Sequence, residues 1–187
     1  MVGLDRSVVE WMSSLHWPVV TPVMKGLTYA GAAGLVWIVI GAVVAVWLRR
    51  PLVLIAVIGA ITVSSRVDAV LKAAVGRARP FVGDPRVHPS IGLPHDPSMP
   101  SGHAMNAFAG AVLLAAVVPR ARWPLLGLAA LIAVSRVYLG VHFPGDVIAG
   151  AILGSGIGAA AAWLLRRGEL ALARRTRRAG SDPERRP

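Results

Sequence analysis

His142 and Asp146 stand four residues apart, on either side of a Pro144-Gly145 turn, in the stretch Ser135-Arg136-x5-His142-x3-Asp146. A carboxylate that accepts one imidazole N–H fixes the tautomer and leaves the other ring nitrogen to attack. Arg136, six residues before the imidazole, offers a planar, permanently charged fork suited to phosphate oxygens. Read alone, a His–Asp pair is more readily a structural contact than a catalytic one.

Two other stretches carry matching chemistry. Lys72 and Arg79 are seven residues apart, so a helix continuing to Pro80 would project both from nearly one face. On their own they could equally be charges snorkelling at a membrane boundary. Pro100-Ser101-Gly102-His103 directly precedes an apolar run. Ser101 is a natural N-cap, Gly102 lets a ligand approach the backbone, and the free N–H groups there form an anion site. His103 falls in the first turn beside that anion, where a lone histidine would ordinarily be a cap or surface residue.

The elements that must position these groups are apolar. The chain has 187 residues, 55% of them hydrophobic and 16% charged. A soluble domain carries about 25% charged residues. Mean hydropathy is +0.62, and several runs approach the roughly 20 residues that span a bilayer. The fold expected is therefore all-α, a polytopic membrane bundle of about five transmembrane helices with an N-terminal amphipathic helix. Met1-Val-Gly-Leu-Asp-Arg does not read as the start of a removable signal peptide. With no Cys in the chain, disulfide and thiol chemistry are excluded.

Residues 1–30 read as an amphipathic, interfacial segment in which Leu4, Val8, Trp11, Met12 and Leu15 share a face. A kinked span broken by Pro18 and Pro22 is the rival. The spans expected are Gly31–Leu48, one from Leu52 running through Lys72, Ala104–Val118, one opening at Pro124–Ser135, and Pro144–Leu165. Residues 31–165 form the transmembrane domain, and 166–187 a basic, disordered cytoplasmic tail. Residues 76–99, rich in Gly, Pro, His and Asp, read as an ordered loop outside the membrane. Gly150, Gly154 and Gly158 form a close-packing stripe, more in keeping with packing inside the bundle than with a homodimer interface.

Net charge is +11, yet no aromatic residues suited to base stacking are interleaved with the basic tail, so nucleic acid is not the expected partner. The charge follows topology instead. Residues 64–103 and 135–146 must share one side of the membrane, while Arg49, Arg50, Arg120, Arg122 and eight tail arginines take the other. The positive-inside rule makes that arginine-rich side cytoplasmic. The three polar stretches then face the extracytoplasmic side of the cell inner membrane, and the tail can lie on anionic lipid headgroups.

Isolated structural explanations for all three stretches would need several coincidences. Together, Lys72-x6-Arg79-Pro80, Pro100-Ser101-Gly102-His103 and Ser135-Arg136-x5-His142-x3-Asp146 resemble the three-part signature of the type 2 phosphatidic acid phosphatase superfamily, in its order and without a departure. The resemblance covers about residues 31–165. It implies that His142 is the nucleophile, forming a phosphohistidine, with Asp146 orienting it. It implies that His103 protonates the leaving alkoxide and later helps activate water. Lys72, Arg79 and Arg136 would clamp the phosphate, joined by Ser101 and the Gly102 amide, with no metal ion or other cofactor. Such a division of labour suits phosphoryl transfer, which depends mostly on positioning and on charge stabilisation. The family's soluble relatives include vanadium haloperoxidases, a branch that the hydrophobicity of this chain argues against.

Asp84, His88, His95 and Asp96 invite a metal-site reading, but their spacing matches no common metal motif. A lid or headgroup-reading loop suits them better. Asp68 is expected to pair with Lys72 or Arg66 and orient the clamp. The implied activity is removal of a terminal phosphate from a lipid phosphate or diphosphate. An undecaprenyl-type polyprenyl diphosphate is preferred by analogy over phosphatidic acid or phosphatidylglycerol phosphate. The alternative from another class is a non-catalytic lipid-binding or lipid-translocating protein, though binding alone needs no nucleophile.

Overall fold

The computed structural model describes residues 2–180 and contains only helices and connections among them. Eight α-helices follow in order: α1 Val2–Ser14, α2 Val20–Ala30, α3 Leu35–Trp47, α4 Pro51–Val75, α5 Pro80–Gly83, α6 Gly102–Val117, α7 Arg122–Tyr138 and α8 Pro144–Gly180. Short 3-10 turns join α2 to α3 and α6 to α7.

Pro51 opens α4 and Pro144 opens α8, each at the first turn, where the missing N–H leaves no bond unmade. Both α8 and the α4–α5 stretch Pro51–Gly83 are long and apolar enough to cross a membrane. The expected clean first span is instead broken. α2 and α3 meet the same test only together, across a bend of 53°. Gly34 sits at this break with φ +73, and a Cβ there would meet Ile61 Cγ2 at 2.7 Å. Glycine alone suits both demands. The shorter apolar helix α6 and the 17-residue α7 complete the bundle.

α6 lies at the centre. Ala104, Met105, Ala107, Ala109, Ala111, Leu113 and Leu114 are all buried, and α6 packs against α8, α7, α4 and α3. The stripe of Gly150, Gly154 and Gly158 lies against the α6 backbone. A Cβ at Gly150 would meet the Ser101 carbonyl at 2.5 Å, and one at Gly158 the Ala109 carbonyl at 2.5 Å. The small residues therefore serve packing inside the bundle, bringing the start of α8 against the start of α6.

Three sequence expectations need correction. Helix α4 stops at Val75, not at Pro80, because Gly76 takes a left-handed conformation (φ 61, ψ 22). Arg79 therefore reaches the site from extended backbone rather than from the Lys72 face of a helix. The last helix does not end at Leu165, since α8 continues to Gly180; residues 181–187 of the expected tail lie outside the described residues. Finally, residues 4–30 form two helices, α1 and α2, rather than one, and α1 also packs against the protein. Val9 is buried and Val8 and Met12 pack beside it, while Leu4 and Trp11 are exposed. The polar residues Asp5 and Glu10 also turn towards the protein.

Candidate active site

The three chemistry-bearing stretches converge at one end of the bundle. Lys72 comes from the last turn of α4, Arg79 from the connection before α5, Ser101–His103 from the start of α6, Arg136 from the last turn of α7, and His142 and Asp146 from the α7–α8 junction. The backbone links them directly: Ser101 N donates to the Asp146 carbonyl at 3.0 Å, and His142 N to the Arg136 carbonyl at 3.3 Å.

His142 is 1% exposed and Asp146 is fully buried. His142 Nδ1 faces Asp146 Oδ2 at 3.5 Å, a long contact. Catalytic hydrogen bonds are often this loose before a ligand tightens the site. On the opposite edge of the ring, Arg79 Nη1 lies 3.2 Å from Nε2. A guanidinium can only donate, so Nε2 is the accepting nitrogen and the proton of the neutral ring sits on Nδ1, facing the carboxylate. That tautomer leaves a lone pair on Nε2. His142 lies in the α7–α8 connection, outside the helical spans. Burial lowers its pKa, the nearby Asp146 carboxylate opposes that, and the Arg136 and Arg79 charges lower it further, to about 4. The imidazole is therefore neutral at physiological pH.

The cations surround this nitrogen. Arg79, 5% exposed, is pinned by the Val141 carbonyl at 2.7 Å and by the Asp96 carbonyl and carboxylate, both at 2.8 Å. Lys72 pairs with Asp68 at 3.1 Å and with Asp96. Arg136 donates from Nη1 to Thr28 Oγ1 at 3.2 Å, and Thr28 Oγ1 lies 2.8 Å from Ser135 Oγ. The kinked α2 thereby positions the third cation. His103, half-buried at the start of α6, lies within electrostatic reach of Arg136, His142 and Lys72.

Buried polar groups are nearly always hydrogen-bonded, and exceptions cluster at functional sites. Ser101 Oγ and Arg136 Nε are both buried without a protein partner. Ser101 has N-cap backbone geometry, but its hydroxyl makes no capping bond. Gly102 is closely faced: a Cβ would meet Asp68 Oδ2 at 2.7 Å, so the Asp68 carboxylate lies against the start of α6 as well as against Lys72. All eight residues singled out from the sequence are thus gathered at one end of the bundle.

Two residues of the site escaped the sequence reading. Arg77 Nη1 donates to Asp146 Oδ1 at 2.7 Å, and Arg77 Nη2 to Asp5 Oδ2 at 2.9 Å. Arg77 belongs to no spaced pattern; its one signal is a second arginine two residues before Arg79, beyond a helix-ending glycine. Asp5 gave none, because its partners lie 72 and 140 positions away.

Of the four residues that suggested a metal site, the two aspartates are engaged by cations. Asp84 binds Arg86 at 2.9 and 2.8 Å, and Asp96 binds Lys72 and Arg79. Among the described residues, no group of three or more His, Cys, Asp or Glu is gathered to hold a metal ion.

Comparison with known proteins shows the family and the fold. A family model described as the PAP2 superfamily matches residues 51–169. An undecaprenyl-diphosphatase of Sulfolobus acidocaldarius is 39% identical over 127 residues, covering 65% of this chain and 60% of that protein's length. A decaprenylphosphoryl-5-phosphoribose phosphatase of Mycobacterium tuberculosis is 33% identical over 138 residues, covering 72% of this chain and 75% of that protein. Among solved structures, the transmembrane PAP2 type phosphatidylglycerolphosphate phosphatase of Bacillus subtilis superposes with a TM-score of 0.70 at 26% identity, over 90% of this chain and 86% of the other. LpxE of Aquifex aeolicus gives 0.72 at 25% identity, over 83% and 92%.

Proposed function

Because this chain belongs to the PAP2 superfamily, we propose that it is a membrane lipid phosphatase that removes the terminal phosphate of a polyprenyl diphosphate of the undecaprenyl type. The observation that carries the reaction is the placement of His142 Nε2. It is the accepting nitrogen of a neutral imidazole, flanked by Arg79, with Arg136 and Lys72 in the same site.

In this reading Nε2 attacks phosphorus, an N–P bond forms, and the bond to the bridging oxygen breaks. His103 gives its proton to that oxygen, and the Nδ1 proton of the new imidazolium is held by Asp146. Water then attacks the phosphohistidine while His103 accepts its proton. Inorganic phosphate leaves, and Nε2 recovers its lone pair. Lys72, Arg79, Arg136, the Ser101 hydroxyl and the Gly102 amide hold the equatorial oxygens, on which charge accumulates. The unpartnered Ser101 Oγ and Arg136 Nε are donors available for that purpose.

The polyprenyl assignment is supported by the names of two relatives, an undecaprenyl-diphosphatase and a decaprenylphosphoryl-5-phosphoribose phosphatase. A phosphatidylglycerophosphatase B at 30% identity keeps the glycerophospholipid substrates in the comparison. In this reading the site faces the extracytoplasmic side of the inner membrane, a side supported by the positive-inside rule, where a headgroup can enter while its tail remains in lipid.

Purified protein in detergent, given undecaprenyl diphosphate, phosphatidic acid and phosphatidylglycerol phosphate, should release phosphate fastest from the first. A faster rate on either glycerophospholipid would reassign the substrate. Equal release by His142→Ala would overturn the mechanism.

A further inference from the structure

The Asp146 carboxylate is fully buried, and each oxygen has its own task. Oδ2 accepts from Phe143 N at 2.9 Å and faces His142 Nδ1, while Oδ1 accepts from Arg77 Nη1 at 2.7 Å. Arg77 is itself held in place. Its guanidinium lies 4.2 Å over the Phe143 ring, and its second nitrogen is bound by Asp5 of α1. Asp5 completes the circuit by accepting Gly145 N at 3.1 Å from the turn between His142 and Asp146. Gly145 leaves room for this approach, since a Cβ there would stand 2.9 Å from Asp5 Oδ2.

We infer that Asp5 and Arg77 are positioning residues for the His142–Asp146 pair, forming an alternating chain His142–Asp146–Arg77–Asp5 that makes the N-terminal helix part of the catalytic apparatus. A buried carboxylate needs a partner to stay ionised, and Arg77 provides one. An uncompensated arginine would hold Asp146 too well. With both guanidinium nitrogens turned on one carboxylate, the geometry preferred by such pairs, it would draw that carboxylate away from the already long contact to His142. Asp5 takes the second nitrogen, so Arg77 touches Asp146 through one oxygen and leaves the other facing the imidazole. The Arg77 guanidinium bonds Asp146 and Asp5, and Asp5 bonds Arg77 and Gly145 N, so both act on the nucleophile's orientation rather than on substrate binding.

This inference rests on the phosphatase reading, and the test separates the two. Full-length protein in detergent is assayed for phosphate release from farnesyl diphosphate, alongside His142→Ala. Asp5→Asn should lower kcat about 10- to 100-fold, as is typical when an outer support of an active residue is lost, with KM within about threefold. Arg77→Lys, which keeps the charge but cannot bridge two carboxylates, should do the same, and the double variant should be no worse than the weaker single. Asp5→Glu should recover most of the rate. Glu10→Gln, which cuts the other tie from α1 (to Arg86 at 2.7 Å), should stay within about twofold of the parent. A parent-like kcat for Arg77→Lys, equal losses for Asp5→Asn and Glu10→Gln, or a change in KM alone would overturn the chain. Should Asp5→Asn fail to fold, Arg77→Lys still decides. Full activity of His142→Ala would instead strike the phosphatase mechanism itself.

Discussion

Arg79 donates to Asp96 twice, from Nη2 to the carboxylate and from Nε to the carbonyl, both at 2.8 Å, so a loop anion sits on the phosphate clamp. The same carboxylate also binds Lys72. Two of the three clamp cations are therefore satisfied internally, and a substrate phosphate has to compete for them.

Asp96→Asn should thus lower KM, and lower the inhibition constant of free inorganic phosphate, each by about 3- to 10-fold, a modest gain because the carboxylate is half open to solvent. Burial alone would raise the Asp96 pKa, but Lys72 and Arg79 override it and hold the group at about 2. The competition should therefore be unchanged between pH 5 and pH 8. With its folded pKa below its unfolded value of 3.8, the pairing contributes stability above that value and loses it as pH falls through about 2. A rise in KM would instead show that Asp96 orients the clamp.

Neutral His142 sets a second pH signature. Its folded pKa, about 4, lies below the ordinary 6.5 because of burial and the neighbouring Arg136 and Arg79, with Asp146 opposing. The acid limb of kcat/KM should then appear near pH 4 and not near 6.5. The sign for stability follows from the same shift. The unfolded chain binds the proton first, so the contribution of neutral His142 is whole above pH 6.5 and declines as pH falls towards 4. Thermal unfolding of the parent against His142→Gln across pH 4–8 would show the two curves converging at the acid end. Parallel curves would mean that the ring is solvated.

The reactive residues were legible in the sequence because their chemistry restricts both type and spacing: a carboxylate four residues from an imidazole, a serine and glycine at a helix start. The break between α2 and α3 was not legible, since hydropathy runs smoothly through Gly31–Leu48 and the bend depends on how closely Gly34 approaches Ile61. Nor was the docking of α1. Apolar periodicity placed Leu4 and Trp11 on a face for the membrane interface, and both are exposed, but nothing in it foretold the ion pairs of Asp5 with Arg77 and Glu10 with Arg86 that bring the polar side of α1 to the protein. Long-range charge pairing leaves no periodic trace.

The α8 glycines separate packing from mere composition. Gly154 lies directly on the Met105 backbone, whereas a Cβ at Gly156 would meet nothing within 4 Å. Gly154→Ala should lower the thermal midpoint in detergent by an amount equivalent to about 1–3 kcal/mol, the usual cost of overpacking. Gly156→Ala should leave it unchanged or raise it slightly, because alanine is the better helix former. Equal midpoints would mean that α6 and α8 are not in backbone contact.

Helices α4 and α8 are fastened at both ends, and this makes the proposed orientation testable. Near the site, Arg77 binds Asp146; at the far end, Arg50 Nε donates to Glu169 Oε1 at 2.9 Å. The far end therefore gathers Arg49, Arg50, Arg166 and Arg167, the charges that the positive-inside rule assigns to the cytoplasm. The chain contains no Cys, so a single introduced thiol reports without background. Gly83 and Gly168 both have open space where a side chain would start. In intact cells, a membrane-impermeant maleimide should label Gly83→Cys and spare Gly168→Cys until the membrane is permeabilised. The reverse pattern would place the site on the cytoplasmic face, and labelling of both in intact cells would mean that α8 does not cross.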